Sequence, residues 1–319
     1  MTNTFCTIIT ADYYPKALTL FKSLIQFNPS APLQVLVADN KPVSPAMERP
    51  DLIRLIPASN LAGYSLCDDL YKKYAHNDMD SFRWSLKPVF ISYLLENGFD
   101  KVLYLDCDMF FFGDYDFLFL ELDNASVLLT PNWINSNPLL DKDSFFSLFT
   151  SGFFSAGFIG ANKMALPALK WWAGACHFMM GAHIEHGIRA DQKYLDVFPV
   201  KFETTKIIRH RGCNIGAWNY EECKRELVNG KVLINAEFPV IFVHFDGMLI
   251  RGILRGHDKL LAPYLELYKK AFEETGAILS DFMPDIDTHV SAGTITRLKW
   301  RLKLKTRIKK MLYNLSQKL

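Results

Sequence analysis

The sequence predicts an α/β protein built on a doubly wound, mostly parallel sheet, and three observations lead there. Strand-like apolar runs alternate with helical patterns through the first half of the chain. The run Lys101–Leu105 (KVLYL) is short, apolar and β-prone, as a strand covered on both faces must be. The helical segment before it stops at Gly98, the residue type that ends helices. A βαβαβ order of this kind places ligands beyond the carboxyl ends of the strands.

Taken in order, residues 5–10 read as the first strand, 15–27 as a helix, and 33–38 and 52–57 as the second and third strands. A helix over 80–97 then leads into KVLYL. Pro and Asn cluster at 131–138, a loop ahead of a strand at 153–159. After Pro199 the pattern is mixed, with a strand at 240–244 and a helix over 259–275. Residues 276–293 read as a linker, so the expected division is a domain over 1–275, a linker over 276–293 and a tail over 294–319.

Composition narrows the class. With 319 residues and 50% apolar content the chain can bury a sizeable core, which excludes disorder, and its Gly and Pro content excludes collagen-like architectures. The net charge of +2 hides an asymmetry: 294–319 holds nine Lys/Arg and no acid, leaving 27 basic against 34 acidic residues elsewhere. An acidic body with a basic tail is not a uniformly basic nucleic-acid binder, and no nucleic-acid partner is expected. The start lacks the basic segment of a secretory signal, and no apolar run approaches the roughly 18 residues of a spanning helix. Six cysteines without paired spacing read as free thiols. The expected location is cytoplasmic, peripheral to the inner face of a membrane.

The chemistry concentrates at Tyr104-Leu105-Asp106-Cys107-Asp108, where a buried strand emerges into its loop. Carboxylates at i and i+2 face one side of a regular strand, and hard oxygen ligands suit Mg²⁺ or Mn²⁺, whose open positions accept diphosphate oxygens. The alternative is a loop-capping pair. Arg83 and Lys87, one helical turn apart, share a face and stand as phosphate or base contacts, or as a solvated pair near Asp80. Thr10, Ala11 and Tyr14 follow the first strand, where backbone and hydroxyl groups meet a nucleoside, and Asp39 follows the second, placed for a ribose hydroxyl. Ser155-Ala156-Gly157 leaves room for a bulky ligand beside its strand.

KVLYLDCDMFFFGD resembles the D-x-D segment of GT-A fold nucleotide-sugar glycosyltransferases, of the family-eight-like kind found in bacterial lipopolysaccharide and polysaccharide assembly. CTIITADYYPKALTLFKSL, RWSLKPVFISYLLENGFD, FFSAGFIGANK, RADQKYLDVFP and RGCNIGAWN followed by VIFVHFDG resemble, in order, further segments of those enzymes over residues 4–275. The resemblance implies a single Rossmann-like GT-A domain and a hexosyltransferase-like activity. It implies that His244 completes a metal site with Asp106 and Asp108, a set that tilts toward manganese. It also implies that Asp191 and Gln192 contact the reacting sugar, where an oxocarbenium-like centre needs stabilisation. Retention is expected, although Asp191 as an in-line base would give inversion, and an N-cap role for Asp191 stays open.

Phe245-Asp246-Gly247 departs from the family's His-x-x-Gly-x-x-Lys-Pro-Trp pattern, so its diphosphate-binding lysine has no counterpart there; Arg251 or Arg255 is the expected replacement. Asn214, Trp218 and Asn219 are expected to wall the acceptor side, with a place in the core as the alternative for Trp218. Cys176, His177, His183 and His186 invite a zinc reading, but their spacing is not that of H-E-x-x-H, and an acceptor-side lid is expected instead. The tail alternates basic and apolar residues over 297–305 and carries a helical stripe from Trp300. Binding to an anionic membrane surface is its first reading, with oligomerisation or RNA binding as alternatives. The expected protein is thus a Mn²⁺- or Mg²⁺-dependent glycosyltransferase acting from a nucleotide-diphosphate sugar, UDP-sugar first, on a glycan or lipid-linked glycan. The rivals are a nucleotidyltransferase or sugar-nucleotide hydrolase, and a non-catalytic scaffold at the membrane.

Overall fold

The computed structural model describes residues 2–43, 51–183 and 188–282. Its centre is a seven-stranded sheet made of β1 (Asn3–Ile9), β2 (Leu33–Val37), β3 (Ile53–Pro57), β4 (Lys101–Leu105), β6 (Val127–Pro131), β7 (Phe154–Asn162) and β10 (Thr205–Ile207), in the order β10-β6-β7-β4-β1-β2-β3. All neighbours pair in parallel except β7, which runs antiparallel to both β4 and β6. The expected α/β architecture with a mostly parallel sheet is the one observed.

Helices cover both faces, and the strands' alternation divides the core accordingly. Phe5, Ile9, Val35, Val37, Leu103 and Leu105 face α1 (Tyr14–Ile25) and α4 (Asp116–Glu121), with Leu118 and Phe119 packed among them. Cys6, Ile8, Leu36, Val102 and Tyr104 face α3 (Met79–Glu96) and α6 (Leu166–Phe178), whose Phe82, Leu86, Phe90 and Trp172 fill the opposite layer. Helix α3 opens where the Asp78 carboxylate accepts the Ser81 amide and ends at Gly98, whose φ of 109° suits glycine. Smaller elements complete this half: α2 (Cys67–Leu70), α5 (Lys142–Ser151), α7 (Phe198–Lys201) and the two-residue strands β8 (Ala182–His183) and β9 (Ile188–Arg189).

A third core forms on the carboxyl-terminal side from β11 (Arg225–Val228), β12 (Lys231–Ile234), β13 (Phe238–Pro239), β14 (Phe242–His244), α8 (Gly247–Leu254) and α9 (Ala262–Glu273). The strand expected at 240–244 is shorter, because Phe238–Pro239 pairs with β12 and the Ile241 amide turns to Gly212 O. The packed body continues past 275: Leu279 is buried, and Phe282 lies 5.2 Å from Phe272 and 6.2 Å from Tyr13. Residues 276–282 are therefore part of the body, while 283–293 and the tail over 294–319 lie outside the described residues.

All six cysteines are buried free thiols, as their spacing predicts. No helix among the described residues is long and apolar enough to cross a membrane.

Candidate active site

The chain runs from β1 outward to β2 and β3, then returns to lay β4 on the other side of β1, so the order reverses between β1 and β4. Ligands of open α/β sheets sit at such a switch point. Asp106 and Asp108 follow β4 directly, and β5 (Met109–Phe111) then pairs antiparallel with β14 in a register that sets Met109 opposite His244. That pairing carries His244, distant in sequence, to the two aspartates. The Phe245 amide donates to Asp108 O at 2.8 Å and fixes the junction.

His244 Nε2 lies 2.9 Å from Asp108 Oδ1, and the Lys16 ammonium lies 4.0 Å from Asp108 Oδ2. Burial opposes charge on the imidazole, yet the Asp108 carboxylate outweighs it and raises His244 to about 9. Burial likewise opposes charge on Asp108, but His244 and Lys16 hold it well below the usual carboxylate range. Cys107, between the aspartates, is buried with its thiol pushed up to about 12, which makes it neither nucleophile nor ready ligand.

Asp106 accepts the Tyr104 hydroxyl on Oδ1 at 2.8 Å, and Lys87 Nζ lies 3.4 Å from the same oxygen. Lys87 is only 3% exposed; its ammonium also lies 3.0 Å from Asp191 Oδ2 and donates to Ala156 O at 3.1 Å. Burial works against the Lys87 charge, and the two carboxylates overcome it, so the ammonium's pKa is raised. Burial pushes Asp191 up, with Lys87 pulling it part of the way back. The alternative of a solvated pair near Asp80 therefore fails for Lys87, which is buried, and fits Arg83 better. Arg83 pairs with Asp80 at 2.8 Å and lies over the Tyr13 ring, on the same side of the helix but outside the buried bridge.

Gly157 supplies the clearance. A Cβ at this position would lie 2.8 Å from Asp106 Oδ2, 2.9 Å from His244 Cε1 and 2.9 Å from Met109 Cε, so Asp106 and His244 converge over its bare Cα. The sequence assigned that room to a ligand; the site's own side chains occupy it. Ser155 Oγ accepts the Gly157 amide at 3.2 Å and keeps the strand in place. These groups open into a cavity of about 460 Å³ lined by Lys87, Asp106, Ser155, Asp191, Gln192, Trp218, His244 and Asp246, among others.

The remaining expected residues divide. Ala11 donates its amide to Asp39 Oδ1 at 3.1 Å, so Ala11 and Asp39 do meet beyond β1 and β2, while Thr10 precedes them and accepts the Tyr13 amide. Tyr14 does not join them: as the first residue of α1 it turns into the core, 5% exposed, with its hydroxyl buried. Asp191 precedes a 3₁₀ helix over Gln192–Val197, but its side chain caps nothing and goes to Lys87 instead. Gln192 lines the cavity while its Oε1 accepts the Ala156 amide at 3.3 Å and its Nε2 donates to Ser151 O at 2.7 Å. One N–H and one lone pair remain on that amide for a ligand.

Trp218 reaches the cavity with its ring edge-on to His244, centroids 5.4 Å apart. Asn214 and Asn219 are fully buried behind it, so they do not wall the acceptor side. Asn219 donates to Asn214 O and accepts the Gly216 amide, and Arg225, paired with Asp258 at 3.0 Å, donates to Gly216 O at 2.8 Å. Cys176 is in the core, while His186 and the side chain of His183 lie outside the described residues. Arg251 folds back over Gly247 at the start of α8, and Arg255 is exposed at its end.

Sequence reading missed Tyr104, Lys16 and Asp246. Tyr104 was within reach, because it shares a strand face with Asp106 two residues on. Asp246 caps α8 by accepting the Leu249 amide at 2.7 Å, and burial raises its pKa. Lys16 carried no signal of its own, since only the fold brings α1 to the D-x-D loop.

Among the described residues, no group of three or more His, Cys, Asp or Glu side chains is spaced to hold a metal as it stands. The chemistry of the donor set fits one nonetheless. Two carboxylates and an imidazole converge, Asp106 keeps Oδ2 turned over Gly157, and His244 is engaged only through Asp108 while its buried Nδ1 has no partner.

No family model matches the chain. It is similar to the uncharacterized protein YfnF of Bacillus subtilis (strain 168), 28% identical over 259 residues that cover 79% of this chain and 84% of that protein. Among solved structures, mouse xyloside xylosyltransferase 1 in its apo form superposes with a TM-score of 0.47 at 13% identity, over 77% of this chain and 98% of that one. The galactosyltransferase LgtC, in complex with donor and acceptor sugar analogs, superposes with a TM-score of 0.43 at 18% identity, over 76% and 87%.

Proposed function

We propose that this chain is a glycosyltransferase that moves a sugar from a nucleotide-diphosphate donor, UDP-sugar first, to a glycan or lipid-linked glycan. The observation that carries the reading is the convergence at one switch point of Asp106, Asp108 and His244 with a buried Lys87–Asp191 pair, around a cavity large enough for a sugar. Asp106, Asp108 and His244 would hold Mn²⁺ or Mg²⁺, which when bound neutralises charge on the leaving diphosphate. The chain's own residues do the rest. Lys87 keeps Asp106 and Asp191 at fixed separation and offsets their charge. Asp191 presents a carboxylate to positive charge developing on the sugar, and Gln192 braces the wall beside it. Trp218 offers an aromatic edge for the acceptor ring.

Isothermal titration with UDP, GDP, CDP and dTDP in the presence of Mn²⁺, followed by NMR of the matching nucleotide sugar, tests this. Nucleotide released with formation of a new glycosidic bond supports transfer. Release with free sugar alone points to the hydrolase rival, and absence of binding to all four nucleotides sinks the reading. The basic tail is proposed to hold the enzyme on an anionic membrane surface where a lipid-linked acceptor lies.

A further inference from the structure

Lys16 is a cation beside the site that the mechanism above does not use. It stands in the first turn of α1 (Tyr14–Ile25), where the helix dipole already presents positive charge, and the anion it faces there is the Asp108 carboxylate. Its side chain is 12% exposed, and its ammonium lies 4.8 Å from the centre of the Tyr13 ring and 4.0 Å from Asp108 Oδ2. Arg83 lies over the same Tyr13 ring at 5.2 Å, so two cations border one ring beside the Asp106–Asp108 loop.

The contact with Asp108 is too long for a hydrogen bond, and Asp108 already spends its other oxygen on His244. A dication taken up by Asp106, Asp108 and His244 would draw on the Asp108 carboxylate and leave Lys16 facing added positive charge. An anionic ligand arriving on the α1 side relieves that repulsion, and a diphosphate suits it because its oxygens can face the cation and the lysine together. The segment after His244 offers no such lysine: Arg251 is folded over Gly247 and Arg255 is exposed at the end of α8.

We propose that Lys16 is a donor-diphosphate ligand that couples nucleotide binding to metal binding, weakening the metal alone and strengthening the ternary complex. The proposal rests on the glycosyltransferase reading and assigns the phosphate contact to the amino-terminal side of the site. It carries an unusual signature, because removal of the charge should move two affinities in opposite directions.

The test is titration of the full-length protein and its Lys16→Met and Lys16→Arg variants with Mn²⁺ alone, then with the preferred nucleoside diphosphate and its nucleoside in the presence of Mn²⁺. Lys16→Met should bind Mn²⁺ alone more tightly than wild type, bind the nucleoside diphosphate about tenfold or more weakly, and leave nucleoside affinity unchanged. Lys16→Arg should restore most of the diphosphate affinity. A Lys16→Met protein that keeps wild-type diphosphate affinity, or that loses Mn²⁺, nucleoside and diphosphate binding together, overturns the proposal. Wild-type protein that binds none of the four nucleoside diphosphates overturns the functional reading itself and this proposal with it. The wild-type arm therefore separates the two failures.

Discussion

The Lys87 ammonium lies 3.0 Å from the Asp191 carboxylate, and this contact ties helix α3 to the loop ahead of the 3₁₀ turn at Gln192–Val197. With Asp106 on its other side at 3.4 Å, the Lys87 ammonium joins the Asp106 and Asp191 carboxylates through a single charged atom. Removing it leaves the buried Asp191 carboxylate without its cation, beside the partly exposed Asp106. Lys87→Met should therefore cost about 3–5 kcal/mol of stability and abolish transfer. Urea denaturation reads the first effect, and a midpoint equal to wild type would mean the bridge is not held in solution.

Asp108 and His244 predict a pH effect with a definite sign. His244 has its folded pKa raised to about 9 from an ordinary value of 6.5, so its pairing stabilises the metal-free protein fully below 6.5 and is lost as pH rises through about 9. NMR titration of the His244 ring in metal-free protein should give a midpoint near the upper value, and Asp108→Asn should bring it down toward or below the ordinary one. A wild-type midpoint near 6.5 would show that Asp108 does not control the imidazole. Mn²⁺ must displace that proton, so its affinity should climb with pH across the same window.

Parts of this site were legible in the sequence because they depend on local order. KVLYL reads as a buried strand from its composition, and whatever follows such a strand emerges at the ligand-binding edge, which placed Asp106 and Asp108. His244 was legible as a strand-end residue, but its partner was set by the β5–β14 register, which no local pattern encodes. Tyr14 was misread because helix α1 begins at that residue, and the first turn rotates its ring into the core. Asn214 and Asn219 look like surface amides in sequence; they are inner struts because Arg225 and Asp258 bring a buried charge pair behind them. The Lys87–Asp191 contact joins residues whose segments meet only when α3 and α6 pack on the same face of the sheet.

The tail predicts a separable effect. Nine basic residues and no acid over 294–319 should contribute about 1 kcal/mol each when near an anionic surface. A protein ending at residue 293 should no longer co-sediment with phosphatidylserine-containing vesicles at low salt, while its transfer to a soluble acceptor stays within twofold or so of the full-length protein. Equal loss of both properties would assign the tail to the catalytic body instead.

Gly157 and Gly160 lie on the same strand, three residues apart, and substituting each by alanine separates site geometry from stability. At Gly160 the new methyl would meet Leu128 Cβ at 2.9 Å and Leu103 Cδ2 at 3.0 Å, which are core atoms. At Gly157 it would meet Asp106 Oδ2, His244 Cε1 and Met109 Cε, two of them on proposed metal ligands. Both substitutions overpack, so both should cost about 1–3 kcal/mol. Only Gly157→Ala pushes Asp106 and His244 apart, and displaced ligands typically cost tenfold or more in metal affinity. Titration with Mn²⁺ should therefore show about tenfold or greater weakening for Gly157→Ala and near wild-type affinity for Gly160→Ala, at comparable losses of melting temperature. Equal Mn²⁺ affinity in the two variants would mean that the convergence of Asp106 and His244 over Gly157 has no part in holding a cation, and that the glycine serves packing alone.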